Sequence, residues 1–486
     1  MTERLNMLLV DPNHNNNYGP HLGLAYVAAA SKPFAKVNTE SFLLQGEVDN
    51  LTFPGFLDQE RAFVDQVGKT VAKNAPDVVG ITATIGSYQR ALRVAEAVKS
   101  HGGNPLVVMG GPQVSILSST NKWEFRVFED SPHVDVIIRG EGEKTIEELL
   151  GAVQKGEGFN DIQGMSFRDG DRFVANPNRP VIKNLDELAF PDWGVFPLDD
   201  FDDVFYLSTS RGCVAKCKFC DERAIFPRYK FRSPQSVVAE MERNATEFGV
   251  TTYRFGDSSL TTNPRLAEMC DLLIENNLGV SWLAYARADQ VSPELLVKLK
   301  AAGQDVIYFG VETGSQEMLD AVSKGLTLDD TKNAVRMAKE AGMKVKGSII
   351  LGIPGETEEH ANATIAFVKE LNLDISNWHG YTPSIQDYNA HFVAHPDSKL
   401  DLNWAGMNTD VPHHLETYAR EVAGFDEAWM MDKHLRGGQF PEGTNPITGH
   451  DYSTVHARLQ RAIAATKQNT HMEAVLLAER AGKVEK

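Results

Sequence analysis

Cysteine is scarce in this chain of 486 residues, which contains only four. Four cysteines are too few for the disulfide framework of a secreted protein. Histidine is missing from the middle of the chain, since none lies between His133 and His360. A structural zinc ion needs four Cys or His ligands, so zinc bound by the central cysteines would have to borrow a distant ligand.

Long apolar runs and an excess of positive charge are also absent. The apolar run near the N-terminus is too short for a signal peptide, and no later stretch could span a membrane. The formal net charge is −18, whereas binding to nucleic-acid phosphates depends on clustered Lys and Arg. The sequence therefore predicts a cytoplasmic protein with no membrane span and no nucleic-acid partner. Nothing in it indicates an oligomeric state.

Three of the four cysteines, Cys213, Cys217 and Cys220, lie within eight residues of each other. Three thiolates on one short loop can hold three irons of a cubane cluster, whereas ferredoxin runs add a fourth cysteine nearby. An iron that lacks a protein ligand is free to bind and activate another molecule. An iron-sulfur cluster is therefore favoured over zinc. Cys270 lies in a stretch with helical apolar spacing, which favours a core role over that of a fourth ligand.

Strand and helix patterns alternate over residues 1–145, which predicts a doubly wound parallel sheet. The strands are predicted at 7–10, 77–81, 105–109 and 134–138, and helices include 22–30 and 88–98. Open α/β sheets bind ligands in the loops at the carboxyl ends of their strands. Small and acidic residues fill these loops, namely Thr82, Thr84, Gly110, Gly111, Pro112, Gly140, Glu141, Gly142 and Glu143.

The rest of the chain divides into three segments. Residues 146–200 are predicted to form a linker with an amphipathic helix and a hairpin that turns at Asp169 and Gly170. Residues 201–395 contain six predicted strand-helix units, which suggest a partial (β/α)6 TIM-type barrel whose first strand precedes the cysteines. The six strands are predicted at 205–209, 252–255, 280–285, 305–309, 346–351 and 375–381. Residues 396–486 are predicted to be mostly helical, with one helix from Thr454 to Ala481.

The spacing CxxxCxxC, with Phe219 just before the last cysteine, resembles the signature of radical S-adenosylmethionine (SAM) enzymes. The resemblance implies that Cys213, Cys217 and Cys220 hold a 4Fe-4S cluster whose fourth iron binds SAM. One electron, from a donor such as flavodoxin or ferredoxin, would then split SAM into methionine and a 5′-deoxyadenosyl radical. No cysteine precedes Cys213 and none follows Cys270, so a single cluster is expected.

The same resemblance assigns a SAM site to the ends of the barrel strands. Its residues are Phe219, Asp257, Ser258, Arg287, Glu312, Gly347 and Ser348. Arg287 can hold a carboxylate in a bidentate pair. Glu312 can accept hydrogen bonds from the SAM ammonium or ribose hydroxyls. The competing interpretations are a surface charge for Arg287 and an ordinary ion pair for Glu312.

The first segment resembles the cobalamin-binding domain of B12-type radical SAM enzymes. The resemblance lies in residues 20–26, which include Leu22 and Gly23, and in the glycine loops at 110–112 and 139–143. It departs from methionine-synthase-like domains, which supply an axial histidine from a DxHxxG motif. Here His14 stands one position late and no glycine follows. We therefore expect cobalamin without a histidine on its lower face and expect His14 to be a solvated loop residue.

The combined resemblance implies a methyltransferase that acts on an unactivated carbon of a small-molecule substrate. A methyl group would pass from methylcobalamin to a substrate radical. A cyclase or rearrangement enzyme without methyl transfer is an alternative, and a cobalamin sensor with an inert barrel is a third. His379 and Tyr381 lie near the end of the last predicted barrel strand and are candidate substrate contacts.

Overall fold

The computed structural model describes residues 4–13, 19–43, 53–84, 86–120, 124–201 and 204–381, and residues 384, 458, 461, 462, 465 and 466. These residues form two compact units. The first contains 4–182 and 188–201, and the second contains 183–187 and 204–381 together with the six residues beyond 381. Across the described ranges, no helix combines the length and the apolar character that crossing a membrane requires.

The first unit contains a seven-stranded sheet with the order β2-β1-β3-β4-β5-β6-β7. The first five strands along the chain run parallel, and β6 and β7 are antiparallel. The strands are β1 Leu5–Asp11, β2 Ala35–Ser41, β3 Val78–Thr82, β4 Leu106–Gly110, β5 Val136–Ile138, β6 Met165–Asp169 and β7 Arg172–Ala175. The strand order reverses at β1, which places the β1 to β2 and the β3 to β4 crossovers on opposite faces.

Six helices cover this sheet, as the predicted doubly wound arrangement requires. They are α1 Leu22–Ser31, α2 Phe53–Asn74, α3 Tyr88–Ser100, α4 Pro112–Ser118, α5 Arg126–Asp130 and α6 Glu143–Lys155. Helix α1 packs beside α6, and α2 packs beside α3. Between α2 and α3, the buried Arg90 guanidinium donates to Glu60 at 3.0 Å and lies 4.5 Å from the centre of the Phe42 ring.

Two features of the first unit differ from the sequence prediction. Strand β2 was not predicted, because it is a polar edge strand with the sequence AKVNTES and mixed burial. The predicted hairpin does form around Gly170, but it pairs with β5 through Phe167 and Val136 and so extends the first sheet. The interpretation of this hairpin as part of a linker that begins at residue 146 is therefore wrong.

The second unit contains six parallel strands with the order β15-β14-β13-β12-β11-β8. These are β8 Val204–Leu207, β11 Thr252–Phe255, β12 Ser281–Ala286, β13 Gln304–Glu312, β14 Lys344–Leu351 and β15 Ile375–Gly380, and a separate pair consists of β9 Ser210–Arg211 and β10 Lys230–Phe231. All six predicted barrel strands form, and each pairs with the next along the chain. The predicted partial (β/α)6 barrel is confirmed.

Helices connect these strands. They are α7 Glu222–Ile225, α8 Pro234–Phe248, α9 Leu266–Asn276, α10 Pro293–Ala301, α11 Gln316–Ala321, α12 Leu328–Glu340 and α13 Glu358–Leu371. Local signals fix several starts: Ser233 caps α8 ahead of Pro234, and Thr327 and Thr357 form capping boxes before α12 and α13.

The predicted helix from Thr454 to Ala481 lies mostly outside the described residues. The described members of that range, 458, 461, 462, 465 and 466, are helical. His14 also lies outside the described residues, so the prediction for it stays a prediction.

Candidate functional site

The three clustered cysteines lie on one loop that follows β8. We call residues 212–229 the cysteine loop. Strands β9 and β10 pair across its neck, with Arg211 opposite Lys230, so the two ends of the loop meet. Gly212 begins the loop with a φ of 84°, and a Cβ there would lie 2.7 Å from the carbonyl oxygen of Arg228. Only glycine fits this position without moving the backbone.

Asp257, just after β11, ties the neck of the cysteine loop to the neighbouring strand. It accepts hydrogen bonds from the Thr209 N–H at 3.0 Å, from the Thr209 hydroxyl at 2.7 Å and from the Ser210 hydroxyl. Burial raises the pKa of Asp257, although these donors act to lower it. The observed partners of Asp257 therefore belong to the loop neck, and its contact with SAM stays a prediction.

The three thiols provide a donor set that fits an iron-sulfur cluster. None forms a disulfide; Cys217 is buried, and Cys213 and Cys220 are half-buried. Burial raises the pKa of the Cys217 thiol and raises that of Cys220 to about 12. Thiolate is the form that binds iron, so the charge of the metal is what would stabilise these groups as thiolates.

Among the described residues, no three His, Cys, Asp or Glu side chains lie close enough to hold one metal ion together. A cubane cluster does not require such a group, because each cysteine binds a different iron. Cys270 lies apart from the loop on α9, where it is fully buried and its thiol pKa is raised to about 12 by burial. The predicted core role of Cys270 is confirmed.

Glu312 ends β13 in a left-handed backbone conformation, with a φ of 61°. Residues other than glycine seldom adopt this conformation, because it strains the backbone. The pairing of β13 with β14 also shifts register between Gly310 and Glu312. The buried Glu312 carboxylate forms an ion pair of 2.6 Å with the Nζ of Lys324. The same Nζ lies 5.8 Å from the centre of the Phe219 ring, in the cysteine loop.

Lys324 is a site residue that the sequence reasoning missed. It lies between α11 and α12, and its side chain is only 10% exposed. Burial acts to lower the pKa of Lys324, but the Glu312 carboxylate and Cys217 outweigh burial, and the net direction is upward. A single lysine before a glycine gives no signal in a sequence, because its usual place is the surface.

Arg287, just after β12, already holds a carboxylate of its own chain. Its Nε and Nη2 donate to the two carboxylate oxygens of Asp289, each at 3.0 Å, and Nη2 also donates to the Lys324 carbonyl at 3.2 Å. The bidentate geometry that was predicted for the SAM carboxylate is therefore present with Asp289 as the acceptor. The role of Arg287 in SAM binding stays a prediction.

The remaining predicted residues of the barrel serve packing as well. A Cβ on Gly347 would lie 2.4 Å from the end of the Leu373 side chain, which would have to shift to make room for it. Tyr381 is buried in an apolar cluster against which Phe219 packs, so it supports the cysteine loop from behind. Ser348 and His379 are half-buried at the inner strand ends. Their contacts with SAM or substrate stay predictions.

Two carboxylates that sequence reasoning missed, the half-buried Glu222 and the buried Glu356, hold loops of the second unit. Glu222 accepts from the Gly212 N–H at 3.1 Å and from the Ser258 hydroxyl, and its pKa is raised by burial. Glu356 accepts from the Gly352 N–H at 2.8 Å and pairs with Arg458 at 2.9 Å. Glu356 and Arg458 are 102 positions apart in the chain, so no local sequence pattern indicates this pair.

In the first unit, the predicted cobalamin residues gather at the carboxyl end of the sheet. The strand order reverses between β1 and β3, which is where such sheets bind ligands. There the Thr84 hydroxyl donates to the Asn13 side chain at 2.6 Å, and Asn13 donates its N–H to Asp11 at 3.1 Å. Leu22 and Gly23 begin α1 and are accessible. The hydrogen bond between Thr84 and Asn13 joins the loops after β1 and β3.

The glycines of this edge have two different structural reasons. Gly111 has a φ of 97°, and a Cβ there would lie 2.7 Å from the Thr82 hydroxyl, so the closeness of the β3 and β4 loops explains it. Gly140 has a φ of 68°, and a Cβ there would meet no atom within 4 Å. Gly140 thus borders open space, and its N–H donates to Ser115 at 2.9 Å.

The acidic residues of this edge are partly used by the fold. Glu141 accepts from the Ile182 N–H at 2.9 Å, and Glu143 is buried at the start of α6. In contrast, the side-chain oxygen of Gln113, next to Pro112, is buried and has no hydrogen-bond partner among the described residues. A ligand that carries amide N–H groups, as cobalamin does, fits this acceptor and the open edge at Gly140 and Gly142.

A three-cysteine loop after the first strand of a partial barrel defines the class of radical SAM enzymes. The sequence model of the Radical SAM superfamily matches residues 207–368, and that of the B12 binding domain matches residues 14–150. An uncharacterized methyltransferase of Pyrococcus horikoshii, PH0819, is 32% identical over 400 residues, which cover 81% of this chain and 83% of the relative. The chain belongs to the cobalamin-binding radical SAM family.

Two further comparisons bear on reaction and fold. The anaerobic magnesium-protoporphyrin IX monomethyl ester cyclase of Rubrivivax gelatinosus is 28% identical over 392 residues, covering 78% of this chain and 68% of the relative. The structure of the radical SAM methyltransferase TsrM from Kitasatospora setae, with tryptophan and a SAM analogue bound, matches with a TM-score of 0.66 at 17% identity, covering 95% of this chain and 88% of that chain. The predicted fold class, with both domains, is confirmed. The cofactors that the two matched families imply are the predicted ones: a 4Fe-4S cluster, SAM and cobalamin.

Proposed function

We propose that this protein is a cobalamin-dependent radical SAM methyltransferase that adds a methyl group to an unactivated carbon of a small molecule. The cysteine loop carries the proposal, because its three thiols leave one iron of a cubane cluster for SAM. When bound, the cluster and SAM supply a 5′-deoxyadenosyl radical, and cobalamin carries the methyl group. The methyltransferase among the relatives supports transfer as the outcome.

The residues of the second unit have separate proposed tasks. Cys213, Cys217 and Cys220 hold the irons. Glu312 and Lys324 present one negative and one positive group, which match the ammonium and carboxylate of the methionine end of SAM. Both groups are largely shielded from bulk water, so each would attract a charged ligand more strongly than a surface residue would.

In the first unit, the start of α1, which follows β1, and the loops after β3, β4 and β5 are proposed to hold cobalamin. Their proposed contacts are Leu22, Gly23, Thr82, Thr84, Gly110, Gly111, Pro112, Gly140, Glu141, Gly142 and Glu143.

The test uses SAM with a deuterated methyl group, because the substrate is unidentified. The reconstituted, reduced protein is incubated with a small-molecule extract, and products are analysed by mass spectrometry. Methyl transfer gives S-adenosylhomocysteine, 5′-deoxyadenosine and a product that carries the labelled methyl group. The Cys217→Ala variant should give none of these, and Cys270→Ala should give all three.

Cyclisation is the second candidate, because the cyclase relative covers more than two thirds of both chains. A cyclase would form 5′-deoxyadenosine and alter a substrate without incorporation of the label. That result would exclude methyl transfer but keep the radical SAM assignment. Absence of 5′-deoxyadenosine from a protein with a full cluster, under every reductant, would overturn both.

A further inference from the structure

The cysteine loop and its neck differ in charge from the rest of the protein. The whole chain has 48 Lys and Arg against 66 Asp and Glu. Residues 211–230 reverse this balance, with six basic residues against Asp221 and Glu222. Glu222 is turned inward to the Gly212 N–H, so it does little to offset the basic residues outside. A positive surface therefore surrounds the site of the proposed cluster on an acidic protein.

Four of these basic side chains are exposed. They are Lys216, Lys218, Arg223 and Arg228, which we call the loop cations. None of them forms an ion pair within the part of the chain that the structure describes, and Lys218 donates only to the Ala321 carbonyl, at 2.9 Å. Because β9 and β10 close the neck of the loop, the four cations stay on one short, tied segment that also carries the cysteines.

Apolar side chains are exposed on the same segment. Val214 is 55% exposed, and Phe231, on β10 at the neck, is 38% exposed. They are two of only four large apolar side chains that are exposed among the described residues. Apolar groups beside charged ones are typical of small, transient interfaces between proteins, where charge guides the encounter.

The cluster site lies close to this surface. Cys213 and Cys220 are only half-buried, and Val214 and Lys216 are their sequence neighbours. Electron transfer between proteins slows steeply with distance. A carrier that docks beside the half-buried Cys213 and Cys220 would therefore be close to the cluster.

We propose that the loop cations, with Val214 and Phe231, form the docking surface for an acidic one-electron carrier protein of the flavodoxin or ferredoxin type. The inference rests on the proposed function, since only a cluster that must be reduced needs such a carrier. One electron leaves the reduced carrier and enters the cluster; the carrier is oxidised by one electron, and no bond forms or breaks in this step.

The test compares a loop variant with a charge-matched control. The loop variant combines Lys216→Glu, Arg223→Glu and Arg228→Glu. The control combines Lys36→Glu, Lys73→Glu and Lys183→Glu, three exposed lysines that lie outside residues 211–231 in the sequence. Formation of 5′-deoxyadenosine is measured with reduced flavodoxin over a concentration series, and separately with dithionite, which needs no docking surface.

For the loop variant we expect the KM for flavodoxin to rise about tenfold or more, because charge attraction raises encounter rates by such factors. The rate with dithionite should stay unchanged, and the control should keep the wild-type KM. Added salt should raise the KM of the wild type much more than that of the loop variant. A loop variant whose KM for flavodoxin equals that of the control would overturn the proposal.

Binding of oxidised flavodoxin by titration calorimetry separates this inference from the proposed function. Weaker binding by the loop variant than by the control supports the docking surface even where no SAM cleavage is seen with any reductant, a result that would refute only the proposed function. The proposal would be overturned if the loop variant bound flavodoxin as well as the control did but no longer bound to immobilised RNA that retains the control. That result would assign the surface to nucleic acid.

Discussion

At the scale of single residues, Lys324 and Glu312 form the most consequential pair of the second unit. Both are buried, and each satisfies the charge of the other at 2.6 Å. Removal of one partner from a buried ion pair leaves an uncompensated charge. We expect Lys324→Met to lower the free energy of unfolding by about 3 kcal/mol. Urea unfolding of the protein measures this loss.

The double variant Lys324→Met/Glu312→Gln is the matched control. It removes both charges, so we expect it to recover much of the lost stability while SAM binding stays impaired. The single variant Glu312→Gln completes the comparison. If the stability losses of Lys324→Met and Glu312→Gln add up to the loss of the double variant, the two residues are not coupled.

Gly111 and Gly140 provide a second comparison between residues. Both have a positive φ, but only Gly111 faces close atoms, with Thr82 at 2.7 Å from an added Cβ. Gly140→Ala should cost about 1 kcal/mol of stability for the backbone conformation alone. Gly111→Ala should cost about 3 kcal/mol, because its φ of 97° and ψ of −178° lie in a region that is nearly restricted to glycine and the added Cβ also overpacks the loop. Thermal unfolding measures both; equal losses would refute the assignment of Gly111 to loop packing.

At the scale of elements, the cysteine loop depends on the adjacent strand β11 through Asp257. Asp257→Ala removes the acceptor for the Thr209 and Ser210 donors and leaves all three cysteines in place. We expect this variant to fold and to take up less iron during anaerobic reconstitution, because the loop neck is no longer fixed. Cys270→Ala, on α9, is the control and should take up wild-type iron. Full iron uptake by Asp257→Ala would show that β9 and β10 suffice to order the loop.

At the scale of the whole molecule, the residues proposed for the two cofactors belong to different compact units. We therefore expect the cofactors to load independently. Cys217→Ala should lose the cluster and keep cobalamin, and protein prepared without cobalamin should still bind roughly four irons and four sulfides per chain, as one cubane requires. Metal analysis and the visible absorption of the corrinoid measure both. Loss of cobalamin from Cys217→Ala would mean that the two sites depend on each other.

Features that depend on local sequence patterns can be predicted from the amino-acid sequence. The alternation of strands and helices, the position of the cysteines after the first barrel strand and the cap at Thr357 all follow from residues close together in the chain. The polar edge strand β2 has no such pattern, because one side of it faces solvent and needs no apolar alternation.

The pairing of charged residues, in contrast, becomes visible only in the folded protein. Lys324 reaches Glu312 from a turn, Asp257 binds the loop neck rather than standing free, Arg287 holds Asp289, and Arg458 meets Glu356. The physical reason is that burial makes an unpaired charge costly, so the fold selects partners by proximity in space. That proximity is set by strand order and helix packing, which separation along the chain does not reveal.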